Sequence, residues 1–396
     1  MNASSKHHEL KLRQRLRCAY QDESSAALKA AVRKYLHSYD ARLRAVDLAN
    51  NSLRPNQRLP KSALSGIAEG LNPWKGSSEK VMVHLIFKDN GHDFRPIFVF
   101  GIEQRSLHQL VLPVLQATAQ LHECQYALQG GVQQAITKVR KGLEDGFIHT
   151  AELDIRKFFS SLGQKGVAEA LPLPKEVTRN VVLSHNLPIV VKSIPSLFSE
   201  DPEEMAICGV DVSQICVSEV PRGIPQGSGI SPLVAEMVLS GTIGELAEQE
   251  CCRIVNYADN VLVMAKSSKS CGGLGDNLSG LLMDHPAGPL LLNDPTYFEM
   301  GGPIVFLGHV LERIGGIVEV SPSDENLSRM RRRIRSSLRS AQQSHLPHSL
   351  ALAKLKEIDD SVTGWTAAFK QWPGAIPFRN RTLARVDDVR KSMTGD

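Results

Sequence analysis

The sequence predicts an α+β protein, and three observations lead to that class. The chain has 396 residues, of which 42% are hydrophobic and 22% charged, as in ordinary globular proteins. Apolar positions recur at helical spacing near both ends, in residues 1–75 and from Ser321 onward. Between these ends, residues 146–315 alternate strand-like and helix-like segments. A chain of this length can bury a large core and divides into roughly two to four parts.

The first elements follow from periodicity and from turn-forming residues. The segment "SSAALKAAVRKYLHSYDARLRAVDLA" (24–49) predicts a helical stretch after its Ser-Ser start, and "NNSLRPNQRLP" (50–60) ends it. The segment "VMVHLIFKDNGHDFRPIFVFG" (81–101) predicts two strands around a polar turn, Lys88 to Asp93. The segment "QRSLHQLVLPVLQATAQL" (104–121) predicts the helix that follows.

The later elements are predicted in the same way. The segment "PRGIPQGSGISPLVAEMVLSGTI" (221–243) indicates a Gly-rich turn that leads into a helix near Ser231. Its glycines would let backbone approach a ligand closely, although a lone Gly-rich loop is a weak signal. The segment "PIVFLGHVLER" (303–313) predicts one apolar strand with Gly308 at its centre. Gly364 and Trp365 are expected in the last long helix.

Charge and cysteine content restrict the class of protein. The net charge of +4 is small for the whole chain. Seven cysteines are scattered without the short paired spacing of a zinc site, which is typical of reduced thiols in a cytoplasmic protein. No stretch approaches the ~20 apolar residues of a membrane span. The polar start "MNASSKHHELKLRQ" is not a signal peptide. We therefore expect a cytoplasmic protein with no membrane partner.

Two aspartates stand in apolar surroundings. In "IVNYADNVLVMA" (254–265), two β-branched runs meet at Ala258-Asp259-Asn260, which predicts a hairpin. Asp and Asn are common turn residues, so the hairpin alone does not require a function. In "HTAELDIRKFFSSL" (149–162), Asp154 lies among apolar neighbours. A buried carboxylate needs a partner, often a metal ion, while the alternative is an aspartate that caps the next helix.

Four segments in this order resemble the reverse transcriptases. They are "LDIRKFFSSL", "RGIPQGSGISPL", "YADN" and "FLG". Upstream, "FRPIFVFG" and "QRSLHQLVL" are similar to finger segments of the same family. The segments "YALQGGVQQAITKV" and "IDDSVTGWTAAFKQW" are similar to segments of group II intron and related bacterial enzymes, the second to the Gly-Trp helix of their thumb. The resemblance implies a right-hand polymerase with fingers, an antiparallel palm and a helical thumb. The implied domains are an N-terminal helical extension (1–75), fingers (76–148), a palm (149–320, with finger elements inserted at about 163–220) and a thumb (321–396).

The resemblance also implies the site. Asp154 and Asp259, with the backbone carbonyl of Ile155, would hold two Mg²⁺ ions, or Mn²⁺, for in-line phosphoryl transfer. The nucleotide-binding residues would be Lys88, Arg95, Phe159, Arg222, Gln226 and Gly227. The primer and template residues would be Tyr257, Gly308, Arg331, Arg332, Arg333, Arg335 and Trp365. Phe159 matches the aromatic gate that selects deoxynucleotides, and the alternative for this ring is simple core packing.

The sequence departs from the family at two places. Asn260 stands where the family has a second aspartate, and an amide oxygen binds a hard cation only weakly. The segment "LLLNDPTYFEMGG" (290–302) lacks the lysine of the family's Asn–x–x–Lys–Thr pattern. These departures are typical of an enzyme that is specialised or inactive.

A basic segment indicates a nucleic-acid partner. The stretch "SRMRRRIRSSLRS" (328–340) contains six arginines and no acid, at the position expected to enter the thumb. Cations of this density bind phosphates through counterion release. An RNA–DNA hybrid would be held by backbone and shape. The alternative is a basic helix that only solubilises the protein.

The prediction is an RNA-directed DNA polymerase that uses deoxynucleoside triphosphates, an RNA template (a non-coding RNA) and makes a DNA product. The sequence has no zinc cluster, HNH-like tail or RNase H carboxylate set, so it resembles bacterial retron-type and defence-associated enzymes that act against phage. One alternative is a weak or inactive RNA-binding subunit of a larger complex, paired with a second protein or with itself. Another is template-independent or protein-primed synthesis. The role of residues 1–75 stays open.

Overall fold

Helices form the first and last segments of the chain, and strands lie between residues 81 and 322. The protein is described by a computed structural model that covers residues 3–87, 94–193, 220, 222–249, 252–342 and 347–394. The predicted α+β class is confirmed.

The elements of the first half are α1 (Ala3–Gln21), α2 (Ser25–His37), α3 (Tyr39–Asn51), α4 (Lys61–Gly70), β1 (Val81–Phe87), β2 (Phe94–Val99), α5 (Ile102–Thr118), α6 (Gly131–Glu144), β3 (His149–Asp154), α7 (Phe158–Ser161), α8 (Gln164–Ala170), α9 (Lys175–Val177) and β4 (Ile189–Ser193). The elements of the second half are α10 (Ser231–Ala247), β5 (Cys252–Tyr257), β6 (Asn260–Ala265), α11 (Ser268–Met283), β7 (Thr296–Tyr297), β8 (Ile304–Phe306), β9 (His309–Ile314), β10 (Ile317–Pro322), α12 (Asp324–Ala341), α13 (His348–Ala368) and α14 (Ala375–Thr394).

The chain divides into two compact units. The first comprises Met1–His122, Ile155–Gly244 and Leu278–Leu292, and the second comprises Glu123–Asp154, Glu245–Asn277 and Asn293–Asp396.

The N-terminal helices of the first unit begin at serine caps. Ser24 accepts a hydrogen bond from the backbone of Ala27, and Ser38 accepts one from Ala41. A side-chain oxygen at this position satisfies a backbone N–H that a helix start leaves free. The predicted helical stretch 24–49 is therefore two helices that are separated at Ser38.

The first unit contains a sheet of order β2-β1-β4, in which β1 pairs antiparallel with β2 and parallel with β4. One face of the sheet packs into an apolar core that includes Val83, Leu85 and Phe98. The two strands predicted in 81–101 are confirmed, while their turn, Lys88 to Asp93, lies outside the described residues.

The second unit contains two sheets and a bundle of helices. The sheets have the orders β5-β6-β3-β7 and β10-β9-β8. Helices α12, α13 and α14 share an apolar core that includes Ile334, Leu355 and Val386. Among the described residues, no helix combines the length and apolar character that crossing a bilayer requires. The described cysteines, Cys18, Cys124, Cys252 and Cys271, form no disulfide bond with one another.

Two sequence predictions are wrong in this unit. The segment 303–313 is not one strand, because Leu307 and Gly308 both adopt positive φ, +48° and +74°, and form a tight turn between β8 and β9. Gly364 and Trp365 lie in α13, and α14 follows it, so α13 is not the last long helix.

Candidate active site

The β5–β6 hairpin presents Asp259 at one end of its sheet. Tyr257 pairs with Asn260, so Ala258 and Asp259 form a two-residue turn. Ala258 has a φ of +54°. This left-handed conformation is uncommon for a residue with a side chain, and it persists only where the surroundings hold it.

Asn256 is the residue that holds this turn. Its buried side-chain amide donates to the carbonyl of Ala258 at 2.9 Å and to that of Asn260 at 3.2 Å. Its backbone N–H donates to the Cys124 carbonyl at 2.8 Å. Sequence reasoning missed Asn256, although a buried amide in the apolar run "IVNY" was a usable signal because buried polar groups need partners.

Asp154 ends the neighbouring strand. β3 pairs antiparallel with β6, and Asp154 is directly opposite Asn260. Directly opposed residues have Cα atoms about 4.5–5.5 Å apart. Asp154 and Asp259 therefore lie at the same end of adjacent strands. The helix-capping alternative for Asp154 does not hold, because the residue at the N-cap of α7 is Lys157.

Asn293 fixes the Asp154 carboxylate. The Asn293 side-chain amide donates to Oδ2 of Asp154, and the Asn293 backbone N–H donates to the Asp154 carbonyl at 2.8 Å. A hydrogen bond of this kind restricts the orientation of a carboxylate and leaves its other oxygen for a further partner. Sequence reasoning missed this residue, which belongs to the segment without the family's lysine.

Glu152 is a third carboxyl group near this end of the sheet, and it lies on the same strand as Asp154. It lies two residues before Asp154 and therefore on the same face of β3. Burial raises the pKa of the half-buried Glu152 carboxyl, and the Asp154 carboxylate raises it further.

The donor set fits a hard divalent cation. Mg²⁺ prefers oxygen ligands, keeps several waters and takes few protein carboxylates where substrate phosphates complete its shell. Asp154 and Asp259 supply such carboxylates. Within the described ranges, no group of three or more His, Cys, Asp or Glu residues could by itself enclose a metal ion. The Ile155 side chain is buried and has no oxygen or nitrogen atom, so the predicted ligand at this residue stays limited to its backbone carbonyl.

The Gly-rich loop of the first unit is bound into the protein at two of its glycines. Gly227 has a φ of +103°, and a Cβ there would lie 2.5 Å from the Phe98 carbonyl oxygen. The Phe98 N–H donates to the Gln226 carbonyl at 2.8 Å. At Gly223, a Cβ would overlap the Phe159 carbonyl oxygen. The sequence predicted that these glycines would let a ligand approach the backbone closely. In the structure, the backbone of Phe98 and Phe159 occupies the space beside Gly227 and Gly223 instead.

A buried polar chain anchors the same loop. The Gln104 side-chain amide donates to Nε2 of His108 and to the Val181 carbonyl, both at 3.2 Å. Nε2 is therefore an acceptor, so the neutral ring carries its proton on Nδ1, which donates to the Ser228 hydroxyl at 3.2 Å. Burial lowers the pKa of His108 to about 3, which keeps this ring neutral.

The structure brings Phe159 and the loop together. The Ile224 N–H donates to the Phe159 carbonyl at 2.8 Å. The Phe159 ring is half-buried, with its centroid 5.6 Å from that of Phe158. Arg222 supports the loop by donating to the Ser184 carbonyl at 2.7 Å. Arg95 is exposed on β2, while Lys88 lies outside the described residues.

The residues expected to contact primer and template fall into two groups in the second unit. Tyr257 and Gly308 lie at hairpin turns. Trp365 belongs to an aromatic cluster with Phe369 and Phe378 and donates to Oδ1 of Asn326 at 3.0 Å. The amide nitrogen of Asn326 would meet a Cβ at Gly308 at 2.5 Å. Asn326, which sequence reasoning missed, thus joins the β8–β9 turn to the helical bundle.

Arg331, Arg332, Arg333 and Arg335 lie exposed on α12. The opposite side of α12 is buried through Met330, Ile334 and Leu338. The helix therefore has a buried apolar face, and its arginines occupy the remaining surface.

Residues 86–283, half of the chain, match the family model described as "Reverse transcriptase (RNA-dependent DNA polymerase)". The chain belongs to the reverse transcriptase family. This match spans Asp154, the Gly-rich loop and the β5–β6 hairpin. The predicted family and the polymerase fold class are confirmed at this level.

Among solved structures, the chain is similar to two yeast telomerases. Apo telomerase from Candida tropicalis has 14% identity and a TM-score of 0.42, over 78% of this chain and 60% of that one. Telomerase from Candida albicans in complex with a fragment of telomeric RNA has 14% identity and a TM-score of 0.41, over 83% and 64%. The chain thus spans less than two thirds of these telomerase chains. No curated protein gives a significant match.

Proposed function

We propose that this reverse transcriptase family member adds deoxynucleotides to a primer on an RNA template by phosphoryl transfer that requires Mg²⁺. The observation that carries the proposal is the register of β3 on β6, which puts Asp154 beside the Asp259 turn. Two carboxylates from adjacent strand ends are suited to hold divalent cations, with Mn²⁺ as a substitute.

Each residue then has a defined task. Asp154 and Asp259 would hold the cations, and the cations would supply Lewis-acid activation of the 3′-hydroxyl and neutralisation of the triphosphate charge. Asn293 keeps the Asp154 carboxylate oriented, and Asn256 keeps the Asp259 turn in place. Gln226 and Arg95 would contact the incoming deoxynucleoside triphosphate, and Phe159 would exclude a ribose 2′-hydroxyl. The exposed arginines of α12 would bind the phosphates of the primer–template duplex.

The test is primer extension by the full chain with labelled deoxynucleotides, an RNA template and Mg²⁺. We expect product from the wild type and none from Asp154→Ala or Asp259→Ala. Glu245→Ala serves as the matched control, because it removes an exposed carboxyl group of the same unit outside the proposed site. Product that survives degradation of the RNA would favour template-independent synthesis instead.

The second candidate function is that of an RNA-binding subunit with little or no catalytic activity. Asn260 and the missing lysine in 290–302 favour it, since each removes a charged group that the family uses. RNA binding without product at any Mg²⁺ or Mn²⁺ concentration would support this candidate. In that case a second protein would supply the active polymerase.

The template is proposed to be a non-coding RNA and the setting a cytoplasmic anti-phage defence, on the basis of the resemblance to bacterial defence-associated enzymes. Sequencing the RNA that co-purifies with the full chain tests the template. Expression in a bacterial host followed by phage challenge tests the setting, with Asp154→Ala as the control that should not protect.

A further inference from the structure

The N-terminal helices carry a charge that the whole-chain value conceals. Residues 1–75 contain fourteen Lys and Arg but only six Asp and Glu, a net charge of +8. The whole chain has +4, so residues 76–396 together carry −4. Charge separated in this way along a chain indicates a polyanionic partner for the basic part.

Half of the acids in this segment are already engaged by neighbouring side chains. These contacts are Glu9 with Arg13, Asp40 with His8 at 2.6 Å, and Asp47 with Arg44 at 3.2 Å. Glu9 is 2% exposed and also accepts a hydrogen bond from the Tyr35 hydroxyl at 2.8 Å, which joins α1 to α2. These acids stabilise the helices and contribute little negative potential to the outer surface.

Helix α1 turns its apolar side inward and its cations outward. Leu12, Leu16 and Ala19 are buried. Lys6, Lys11, Arg15 and Arg17 are all exposed. Along one side of the helix runs a shallow groove lined by Leu10, Arg13, Gln14, Arg17, Cys18 and Gln21. Guanidinium groups bind phosphate oxygens, and amide groups can bind ribose hydroxyls.

Helix α2, which follows α1, also exposes basic side chains. Lys29, Arg33 and Lys34 are exposed on α2. A membrane surface is a poorer partner for these helices, because an interfacial helix needs a broad exposed apolar face. The apolar face of α1 is buried, and Leu10 is the large apolar side chain that α1 exposes.

We propose that the outer face of α1 and α2 binds the phosphate backbone of a folded RNA. The binding is electrostatic and depends on backbone shape rather than on base sequence. This surface is separate from the residues proposed for catalysis, so the proposal stands whether or not the chain polymerises DNA.

The test uses a triple variant of the full chain, Lys11→Gln, Arg15→Gln and Arg17→Gln. Gln is a good helix former, so α1 is retained. The matched control is Lys165→Gln, Lys175→Gln and Arg179→Gln, which removes three exposed cations of the same unit. A charge-keeping variant, Lys11→Arg, Arg15→Lys and Arg17→Lys, reports on charge alone. The probe is a blunt RNA stem-loop without a primer terminus, titrated over a series of salt concentrations.

We expect the α1 variant to lose affinity roughly tenfold or more at low salt and to lower the slope of log affinity against log salt by about 2 to 3. The control and the charge-keeping variant should bind as the wild type does. Unchanged binding by the α1 variant, or an equal loss in the control, would overturn the proposal. The same titration is repeated with a DNA stem-loop of the same sequence and with phosphatidylserine vesicles. An equal loss of affinity for the DNA stem-loop, or a loss of affinity for the vesicles alone, would also overturn the proposal. Primer extension is measured in a separate experiment, so a chain that does not polymerise DNA could still bind RNA through this surface.

Discussion

At the scale of single residues, Asn260 stands where the resemblance to reverse transcriptases implies a second aspartate. It lies next to Asp259 and opposite Asp154, at the end of the sheet where the carboxylates are gathered. An amide there removes one negative charge from the proposed cation site. The proposed site keeps Asp154 and Asp259, so we expect its affinity for a divalent cation to be lowered rather than lost.

We expect Asn260→Asp to retain or raise the rate of primer extension and to lower the Mg²⁺ concentration needed for half-maximal rate. The added carboxylate strengthens the attraction for a divalent cation. A Mg²⁺ titration of wild type and variant measures both effects. Asn380→Asp, which adds the same charge at an exposed position on α14, is the control. Complete loss of activity in Asn260→Asp would contradict the assignment of this site.

Gly227 is a second residue whose environment gives a sharp expectation. An alanine there would adopt a φ near +103° and place its Cβ 2.5 Å from the Phe98 carbonyl oxygen. The left-handed backbone alone costs about 1–2 kcal/mol, and the overlap adds to it. We expect Gly227→Ala to lower stability by about 2 kcal/mol or more, as measured by urea unfolding.

Gly229 is the natural control for Gly227. It belongs to the same loop, and a Cβ built on it meets nothing within 4 Å. Gly229→Ala should therefore change the urea midpoint much less than Gly227→Ala does. Equal effects of both substitutions would mean that the Gly227 backbone is not constrained by β2.

At the scale of elements, the β5–β6 hairpin depends on one buried amide. In Asn256→Asp, the two N–H bonds to Ala258 and Asn260 are lost, and a carboxyl oxygen faces their carbonyls. Leaving such groups unsatisfied costs about 1–3 kcal/mol, and about 1.4 kcal/mol of lost positioning is a tenfold change in rate.

We therefore expect Asn256→Asp to reduce the turnover rate of primer extension roughly tenfold or more, while the dissociation constant for primer–template stays near that of wild type. Single-turnover kinetics and equilibrium binding separate the two quantities. Again Asn380→Asp provides the matched change at an exposed site. Equal loss of binding and turnover would point to general unfolding instead of a displaced hairpin.

Much of the element pattern could be predicted from sequence, because period and capping are local properties. The Ser24 start, the strands within 81–101 and the helix from Ser231 follow from such signals. The turn at Leu307 was missed because a leucine with positive φ carries no local signature and is held by tertiary contacts. The break at Ser38 was missed because apolar spacing continues across it.

The site was predictable only in part, because the roles of some of its residues depend on contacts that form only on folding. Asp154 was identifiable because a carboxylate in an apolar run conflicts with its surroundings, whereas Asp259 looked like an ordinary turn residue and was assigned through the resemblance to reverse transcriptases. Asn293 and Asn256 carry no such conflict of charge, and their roles depend on which atoms lie within hydrogen-bond distance after folding. The order of strands that brings β3 beside β6 is likewise a long-range property.

At the scale of the whole molecule, buried histidines make the fold sensitive to acid. Burial lowers the pKa of His108, His185, His285 and His309. The pKa of folded His108 is about 3. Burial is the largest cause of this low value, and the nearby Arg105 guanidinium also contributes to it. In the unfolded chain these rings have a pKa near 6.5, so the unfolded state binds more protons below that pH. The penalty from His108 is therefore absent well above pH 6.5 and grows as the pH decreases from there toward 3, and the other three rings act in the same direction.

The size of the effect can be stated for His108 alone. At pH 5 the unfolded state binds almost one proton at this ring that the folded state does not bind, which lowers stability by about 2 kcal/mol relative to a pH well above 6.5. In His108→Gln, an amide replaces the ring beside Ser228 without a titrating group. We expect urea unfolding of this variant to depend less steeply on pH over that interval than wild type. Protonation places a hydrogen on Nε2 of His108, opposite the Gln104 amide that donates to it, so acid should favour local opening around His108 and release of the Gly-rich loop packed there. Protease cleavage of the wild type near residue 226 at pH 5, absent at pH 7.5, would report that release. An identical pH dependence in wild type and His108→Gln would mean that His108 is not the group that acid protonates.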